Sequence, residues 1–162
     1  MSKFIGVKLI DAYPATCGEF YSKRGWAIPD SIANKDPENP GYAVYYPDGY
    51  SSWCPQEEFE KRNLLYSGSD NKVSEEDVNA MIRKIHVEEI TPNVAGTKVT
   101  TVTVTLANGF TITESSTCVD PKNYDVEVGI DCCMERIKDK VWFLMGFLLS
   151  CGVNGFQKGG AV

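Results

Sequence analysis

Histidine is nearly absent from this chain, because its 162 residues include only His86. Ser-His-Asp and Cys-His catalysis both need a histidine base, so either chemistry would depend on His86 itself. The six cysteines form no Cys-x-x-Cys pair, and a closed zinc site needs four nitrogen or sulfur ligands at suitable spacing. We therefore expect no metal and no cofactor, and we expect the cysteines to be unpaired thiols.

Positive charge and long apolar runs are also scarce. Lys and Arg number 16 against 22 Asp and Glu, which gives a net charge of −6 and argues against DNA as a partner. The longest apolar run, Val141–Leu149, falls far short of the roughly twenty residues that a membrane span needs. The first residues lack the apolar core of a signal peptide. These features predict a cytoplasmic protein that does not enter the membrane.

Recognisable catalytic motifs are missing as well. The chain has no Gly-rich dinucleotide loop, no Walker loop, no nucleophile elbow and no zinc-protease motif. The carboxylate pairs Glu75/Glu76 and Glu88/Glu89 are expected on solvated helix faces, and His86 is expected to end a helix. We therefore predict that the protein is not an enzyme. A nucleotide-cleaving enzyme that uses His86 is the disfavoured alternative.

Composition along the chain predicts two folded units. Residues 1–66 are expected to form a small, aromatic-rich α+β accessory domain, and residues 67–73 a linker, because they are polar and turn-prone. Residues 74–151 are expected to form a second domain in which a small antiparallel sheet packs against a long C-terminal helix. Residues 152–162 are Gly-rich and are predicted to be a flexible tail.

The first unit is predicted to contain a strand over Phe4–Ile10 and a helix over Cys17–Lys23 that Thr16 caps. A β-hairpin follows over residues 42–53, turning at Pro-Asp-Gly, and then a helix over Pro55–Arg62. Six aromatic side chains are the expected core, with a docking surface as the alternative: Phe20, Tyr21, Trp26, Tyr45, Trp53 and Phe59.

In the second unit, Ser74 begins a capping box. Val78, Met81, Ile82 and Ile85 then follow helical spacing, which predicts a helix that reaches about residue 85.

Lys98–Leu106 and Phe110–Thr117 read as a hairpin joined at Asn-Gly. The even-numbered side of the first strand, from Thr100 to Leu106, is the expected core face.

A long helix is predicted from about Tyr124 to Ser150, with Asn123 or Asp125 as its cap. It is apolar on every face from Trp142 to Leu149, which predicts burial against another copy of the chain.

A candidate ligand site lies in the last hairpin strand and the start of this helix. Hydroxyls and an amide there suit ribose, an aromatic ring suits a base, and a helix N-terminus suits an anion. Arg136 and Lys140 share a helix face and could neutralise a diphosphate. The alternative is that they pair with Glu135 and Asp139 on a solvated face.

An ordered set of motifs in residues 74–150 resembles a family of small phage proteins that includes the type-one Thoeris anti-defence proteins. These motifs are Leu106–Thr113, Ser116–Asp125, Gly129, Lys140–Trp142 and Gly146–Leu149. The first unit resembles a cassette found ahead of unrelated phage modules, carried by Arg24–Trp26, Gly41–Tyr42 and Tyr46–Pro55.

The resemblance implies a sponge that binds cyclic ADP-ribose isomers, and in some members cyclic di- or trinucleotides, without cleaving them. It also implies a dimer, or a hexamer built from dimers, in the cytoplasm of the infected host. Glu114 replaces the family's usual Gly, and Arg136 its usual Asn. Together with the residue-level argument, the implied ligand-binding set is Asn108, Phe110, Thr113, Ser115, Ser116, Thr117, Asn123, Tyr124, Arg136, Lys140 and Trp142. The alternative function is a phage scaffold protein that inhibits a host protein by direct binding.

Overall fold

The computed structural model describes residues 1–30, 32, 36–67, 71–90 and 97–156. The chain divides into two compact units. One contains residues 1–65 together with the chain from residue 152 onwards, and the other spans Tyr66–Cys151. Each unit holds a three-stranded antiparallel sheet, and a long C-terminal helix follows the second sheet. The predicted α+β fold is confirmed.

The described part of the first unit contains three strands in the order β1-β2-β3 and two short helices. The elements are β1 (Asp11–Thr16), α1 (Cys17–Ser22), β2 (Pro40–Tyr45), β3 (Ser51–Pro55) and α2 (Gln56–Arg62). The predicted cap is confirmed, since the Thr16 hydroxyl accepts from the Glu19 N–H and the Glu19 carboxylate from the Thr16 N–H. The predicted hairpin is also confirmed, and it turns through Gly49 at φ +84°.

Two predictions for the first unit are wrong. The strand predicted over Phe4–Ile10 begins instead at Asp11, and it tolerates Pro14 because β1 lies at the edge of its sheet. Trp26 is 55% exposed and does not belong to the core. The core is formed by Ala15, Cys17, Phe20, Ala43 and Trp53, with Tyr21 and Tyr45 partly buried against it.

The second unit begins with a capped helix and continues into a sheet with the order β4-β5-β6. Its elements are α3 (Glu75–Met81), β4 (Ile82–Ile90), β5 (Val99–Leu106), β6 (Thr111–Thr117), a short 3₁₀ turn (Pro121–Asn123) and α4 (Val126–Asn154).

The predicted helix beyond Met81 is wrong. Ile82, Ile85 and His86 lie in β4, which pairs antiparallel with β5 over its whole length. Glu88 and Glu89 are strand residues for the same reason. Ile85 and Val87 also alternate with polar residues, and pairing with β5 selects this period of two over the helical spacing.

The capping box of α3 is confirmed and extends into the predicted linker. Asp77 is almost fully buried, and its carboxylate accepts hydrogen bonds from the N–H and hydroxyl of both Ser67 and Ser74. Burial alone would raise the pKa of Asp77, but these hydrogen bonds outweigh it and lower the pKa below its usual value. Ser67 and the buried Val73 therefore pack as parts of the second unit, while residues 68–70 lie outside the described residues.

Helix α4 covers β5 and β6 on the predicted core face of the hairpin. Thr100, Val102, Val104 and Leu106 are buried on that face. Every fourth residue of the helix faces them, giving a buried stripe of Gly129, Cys133, Ile137, Val141 and Met145. The helix runs to Asn154, four residues beyond the predicted end.

Candidate functional site

Strand β6 forms one edge of the second sheet, and its side chains divide between two faces. Glu114 lies opposite Val102 and Ser116 opposite Thr100, so both point towards the face that α4 covers. The hydroxyls of Thr113, Ser115 and Thr117 lie on the other face of the sheet. The predicted hydroxyl cluster is therefore divided, and only Ser116 of these four shares the face of the helix.

A three-residue ion cluster joins β6 to α4. The Glu114 carboxylate contacts the Lys140 ammonium, and its other oxygen lies 3.5 Å from the Arg136 guanidinium. Arg136 also donates to the backbone carbonyl of Ser115 over 3.0 Å. The cations sit one helical turn apart, which lets both reach a single strand. The predicted alternative partners on the helix itself, Glu135 and Asp139, are thus replaced by a carboxylate from the neighbouring strand.

The cluster holds its carboxylate in the charged form. The Glu114 side chain is 14% exposed. A hydrogen bond from Lys140 lowers the pKa of Glu114, and the charges of Lys140 and Arg136 lower it further, while burial acts in the opposite direction. At neutral pH the cluster therefore carries two positive charges and one negative charge.

A cleft of about 370 Å³ adjoins this cluster. We call it the β6–α4 groove, and its walls are Phe110, Thr111, Ile112, Thr113, Lys140, Phe143 and Leu144. Lys140 belongs to both the groove and the ion cluster. Phe110 is 58% exposed and Phe143 75% exposed, so both rings present large open surfaces. The groove brings together three of the predicted site residues: Phe110, Thr113 and Lys140.

The remaining predicted residues lie elsewhere in the second unit. Asn108 holds the hairpin turn by accepting from the N–H of Phe110. The hydroxyls of Tyr124 and Thr100 form a hydrogen bond of 2.8 Å. This bond lies at the open end of the hairpin, away from its turn. The six steps of β6 separate these ends by about 20 Å. Asn123 is the last residue of the 3₁₀ turn and precedes Tyr124. Trp142 lies about 200° around α4 from Lys140.

The expected anion site at the start of α4 is occupied by the protein's own carboxylate. Asp125 accepts from the N–H groups of Glu127 and Val128 at 2.9 and 3.4 Å. A second negative group there would meet both the Asp125 charge and donors that are already bonded. The cap, which is Asp125 rather than Asn123, therefore disfavours an anion at this helix terminus.

Metal-ligating and nucleophilic side chains are dispersed. Across residues 1–30, 32, 36–67, 71–90 and 97–156, no three His, Cys, Asp or Glu side chains are grouped to hold a metal ion. All six cysteines are free thiols. His86 is exposed on β4, in a strand that does not line the groove. In the same described ranges, no helix is both long and apolar enough to cross a membrane.

Four groove residues were not predicted from the sequence: Thr111, Ile112, Phe143 and Leu144. The helical spacing that joins Arg136 to Lys140 continues to Phe143 and Leu144, and this spacing could have predicted that they line the same site. In the sequence, Glu114 stands out only as a departure from a family pattern. Its role as the partner of both cations depends on how α4 crosses β6.

Comparison with known proteins gives one result. Neither a curated protein nor a solved structure matches the chain. The profile of the phage protein family named for N4 Gp49 and phage Sf6 gene 66 matches residues 73–153, which is half of the chain and includes the whole groove. The protein belongs to this family of phage proteins.

Proposed function

We propose that this phage protein is a non-enzymatic sponge for a small nucleotide signal of the host. The proposed ligands are cyclic ADP-ribose isomers and cyclic di- or trinucleotides. Their capture would block Thoeris-type TIR signalling in the infected cytoplasm. One observation carries the proposal: the β6–α4 groove brings two exposed aromatic rings and a lysine together in a single cleft.

The two aromatic rings supply the surface for a base. Phe110 comes from the end of the hairpin and Phe143 from α4, and both line the groove with most of their ring surface open. Stacking of a base on an aromatic side chain contributes about 1–3 kcal/mol and tolerates any base. Ile112 and Leu144 add apolar surface beside the rings.

Lys140 matches the phosphate of a nucleotide. Its ammonium has three N–H donors, of which Glu114 takes one, so two remain for a phosphate. The volume of about 370 Å³ lies near the lower end of the range for small-molecule sites, roughly 300–1,000 Å³.

The walls of the groove favour binding over cleavage. Hydrolysis needs a nucleophile, a base and a group that stabilises developing charge within reach of one another. The seven wall residues include no histidine, cysteine or carboxylate. The nearest carboxylate, Glu114, is bound by two cations that lower its pKa, which makes it a poor proton acceptor.

We also propose that two copies of the chain associate through the second half of α4. Its apolar side chains lie open to solvent, with Phe143 75% and Phe147 62% exposed and with Trp142, Leu144 and Leu148 beside them. Patches of this kind usually mark interaction sites. Because Phe143 also lines the groove, a partner helix at this surface would close the groove and shield a bound nucleotide from water.

The test is capture of an intact ligand. Purified protein is mixed with cyclic ADP-ribose isomers and cyclic di- and trinucleotides, separated from free ligand, and then boiled. Mass spectrometry of the released ligand should show the unchanged compound. Lys140→Gln should weaken binding in isothermal titration, whereas Lys84→Gln, which removes the same charge from β4, should not. A degraded product, or no capture of any of these ligands, would overturn the proposal.

A second candidate is a scaffold that inhibits a host protein directly. The observation in its favour is the exposed aromatic surface of the first unit, which includes Trp26 and Tyr50. The pair Trp26→Ala and Tyr50→Ala should then abolish protection of the phage, while Lys140→Gln should leave it intact. The sponge proposal expects the reverse.

A further inference from the structure

We propose that Glu114 makes the β6–α4 groove selective for ligands that present a single phosphodiester charge, and that it disfavours ligands whose two phosphates are joined. The inference rests on the proposed function, because it concerns which nucleotide the same groove holds. Its basis is the placement of one carboxylate between the two cations that the ligand would otherwise meet.

The ion cluster beside the groove has a net charge of one positive unit. Lys140 and Arg136 contribute two positive charges, and Glu114 cancels one. Arg136 is further held by the carbonyl of Ser115, so it cannot turn into the groove without losing that hydrogen bond. The other acidic residues nearby on α4, Glu135 and Asp139, are exposed and lie about 100° around the helix from the cations.

A second phosphate would meet Glu114 directly. Lys140 lines the groove and its ammonium contacts the Glu114 carboxylate, so a phosphate bound to that ammonium already lies close to the carboxylate. A joined second phosphate adds another negative charge within several ångströms of it. At this separation like charges near a protein surface weaken binding by about tenfold.

The consequence is an order of preference within the proposed class of signals. The phosphates of a cyclic oligonucleotide are separate phosphodiesters, and each can meet one groove. The two phosphates of cyclic ADP-ribose are joined, so both would fall beside Glu114. The groove therefore favours the cyclic oligonucleotide.

The experiment compares two cyclic adenine nucleotides in isothermal titration with the full chain. The probes are 3′,5′-cyclic AMP, with one charge, and cyclic ADP-ribose, with two. We expect the wild type to bind cyclic AMP about tenfold more tightly, and Glu114→Gln to remove most of that ratio. Glu135→Gln is the matched control, since it removes the same charge from an exposed position on α4, and it should leave the ratio unchanged.

The outcomes separate this inference from the proposed function. The role of Glu114 is overturned if the wild type binds both probes with equal affinity. It is also overturned if Glu114→Gln and Glu135→Gln change the ratio of the two affinities alike. Either result leaves the groove as a nucleotide site. Failure of the wild type to bind either probe or any signal nucleotide overturns both proposals. The wild-type ratio requires no variant, so the test holds even if Glu114→Gln does not fold.

Discussion

Gly129→Ala is the sharpest test of how α4 packs on its sheet. A Cβ at this position would lie 2.4 Å from the Thr100 hydroxyl oxygen and 2.8 Å from the Thr100 Cβ. A Cβ atom essentially never lies within 3.0 Å of such a neighbouring heavy atom, so either α4 or β5 must shift. Overpacking of a core costs about 1–3 kcal/mol. Displacing the Thr100 hydroxyl also strains its hydrogen bond to Tyr124, which contributes about 0.5–1.5 kcal/mol.

The opposing effect is helix propensity, since alanine is favoured over glycine in a helix by about 0.5–1 kcal/mol. The net expectation for Gly129→Ala is a loss of about 1–3 kcal/mol. Gly146→Ala in the same helix is the control. A Cβ there meets nothing within 4 Å, so only the propensity gain applies and the variant should be more stable by about 0.5–1 kcal/mol.

Hydrogen exchange of β5 peptides under native conditions measures the effect within the second unit, whatever the stability of the first. Protection should fall in Gly129→Ala and rise in Gly146→Ala. Adding Thr100→Ala to Gly129→Ala removes the nearer of the two clashing atoms, so the double variant should lose less than the sum of the single losses. Equal protection in Gly129→Ala and Gly146→Ala would refute the close packing of α4 on Thr100.

Three further predictions concern the second unit. Asp77→Asn should cost about 1–3 kcal/mol at pH 7, because an amide cannot accept all four hydrogen bonds from Ser67 and Ser74. The lowered pKa of Asp77 stabilises the fold above its unfolded-state pKa, and this contribution is lost as pH falls through the folded value. Urea titrations should therefore show the gap between the two proteins beginning to narrow only once pH falls below the ordinary aspartate pKa of about 4; a gap that narrows at higher pH would contradict the reasoning. Ile137 is fully buried, so Ile137→Ala should lower the free energy of unfolding by about 2–5 kcal/mol, as measured by hydrogen exchange of β5 peptides. A loss below about 1 kcal/mol would argue against the packing of α4 in the core. Phe147→Glu should convert the proposed dimer to a monomer in light scattering, whereas Lys84→Glu should not; a wild type that is monomeric at all concentrations would contradict the proposed interface.

Local signals in the sequence were sufficient where short-range geometry decides the structure. The Thr16 and Ser74 caps, both hairpin turns and the core face of β5 depend on residues within a few positions of one another. Glycine at a positive φ and a hydroxyl that bonds an N–H three residues on have the same effect in any fold. The α+β class followed from these elements and from the long apolar stripe of α4.

The tertiary structure decided whatever depends on partners distant in the sequence. Residues 82–90 satisfy both a helical and an alternating pattern, and only pairing with β5 makes them a strand. Arg136 and Lys140 were visible as a pair of cations on one helix face, but their partner, Glu114, lies more than twenty positions earlier in the chain. The crossing of α4 over β6 brought these charges together and placed Phe110 and Phe143 along the same groove. The sequence by itself determined the residue types that the proposed nucleotide site needs, and the packing of one helix on one edge strand decided which of them share a groove.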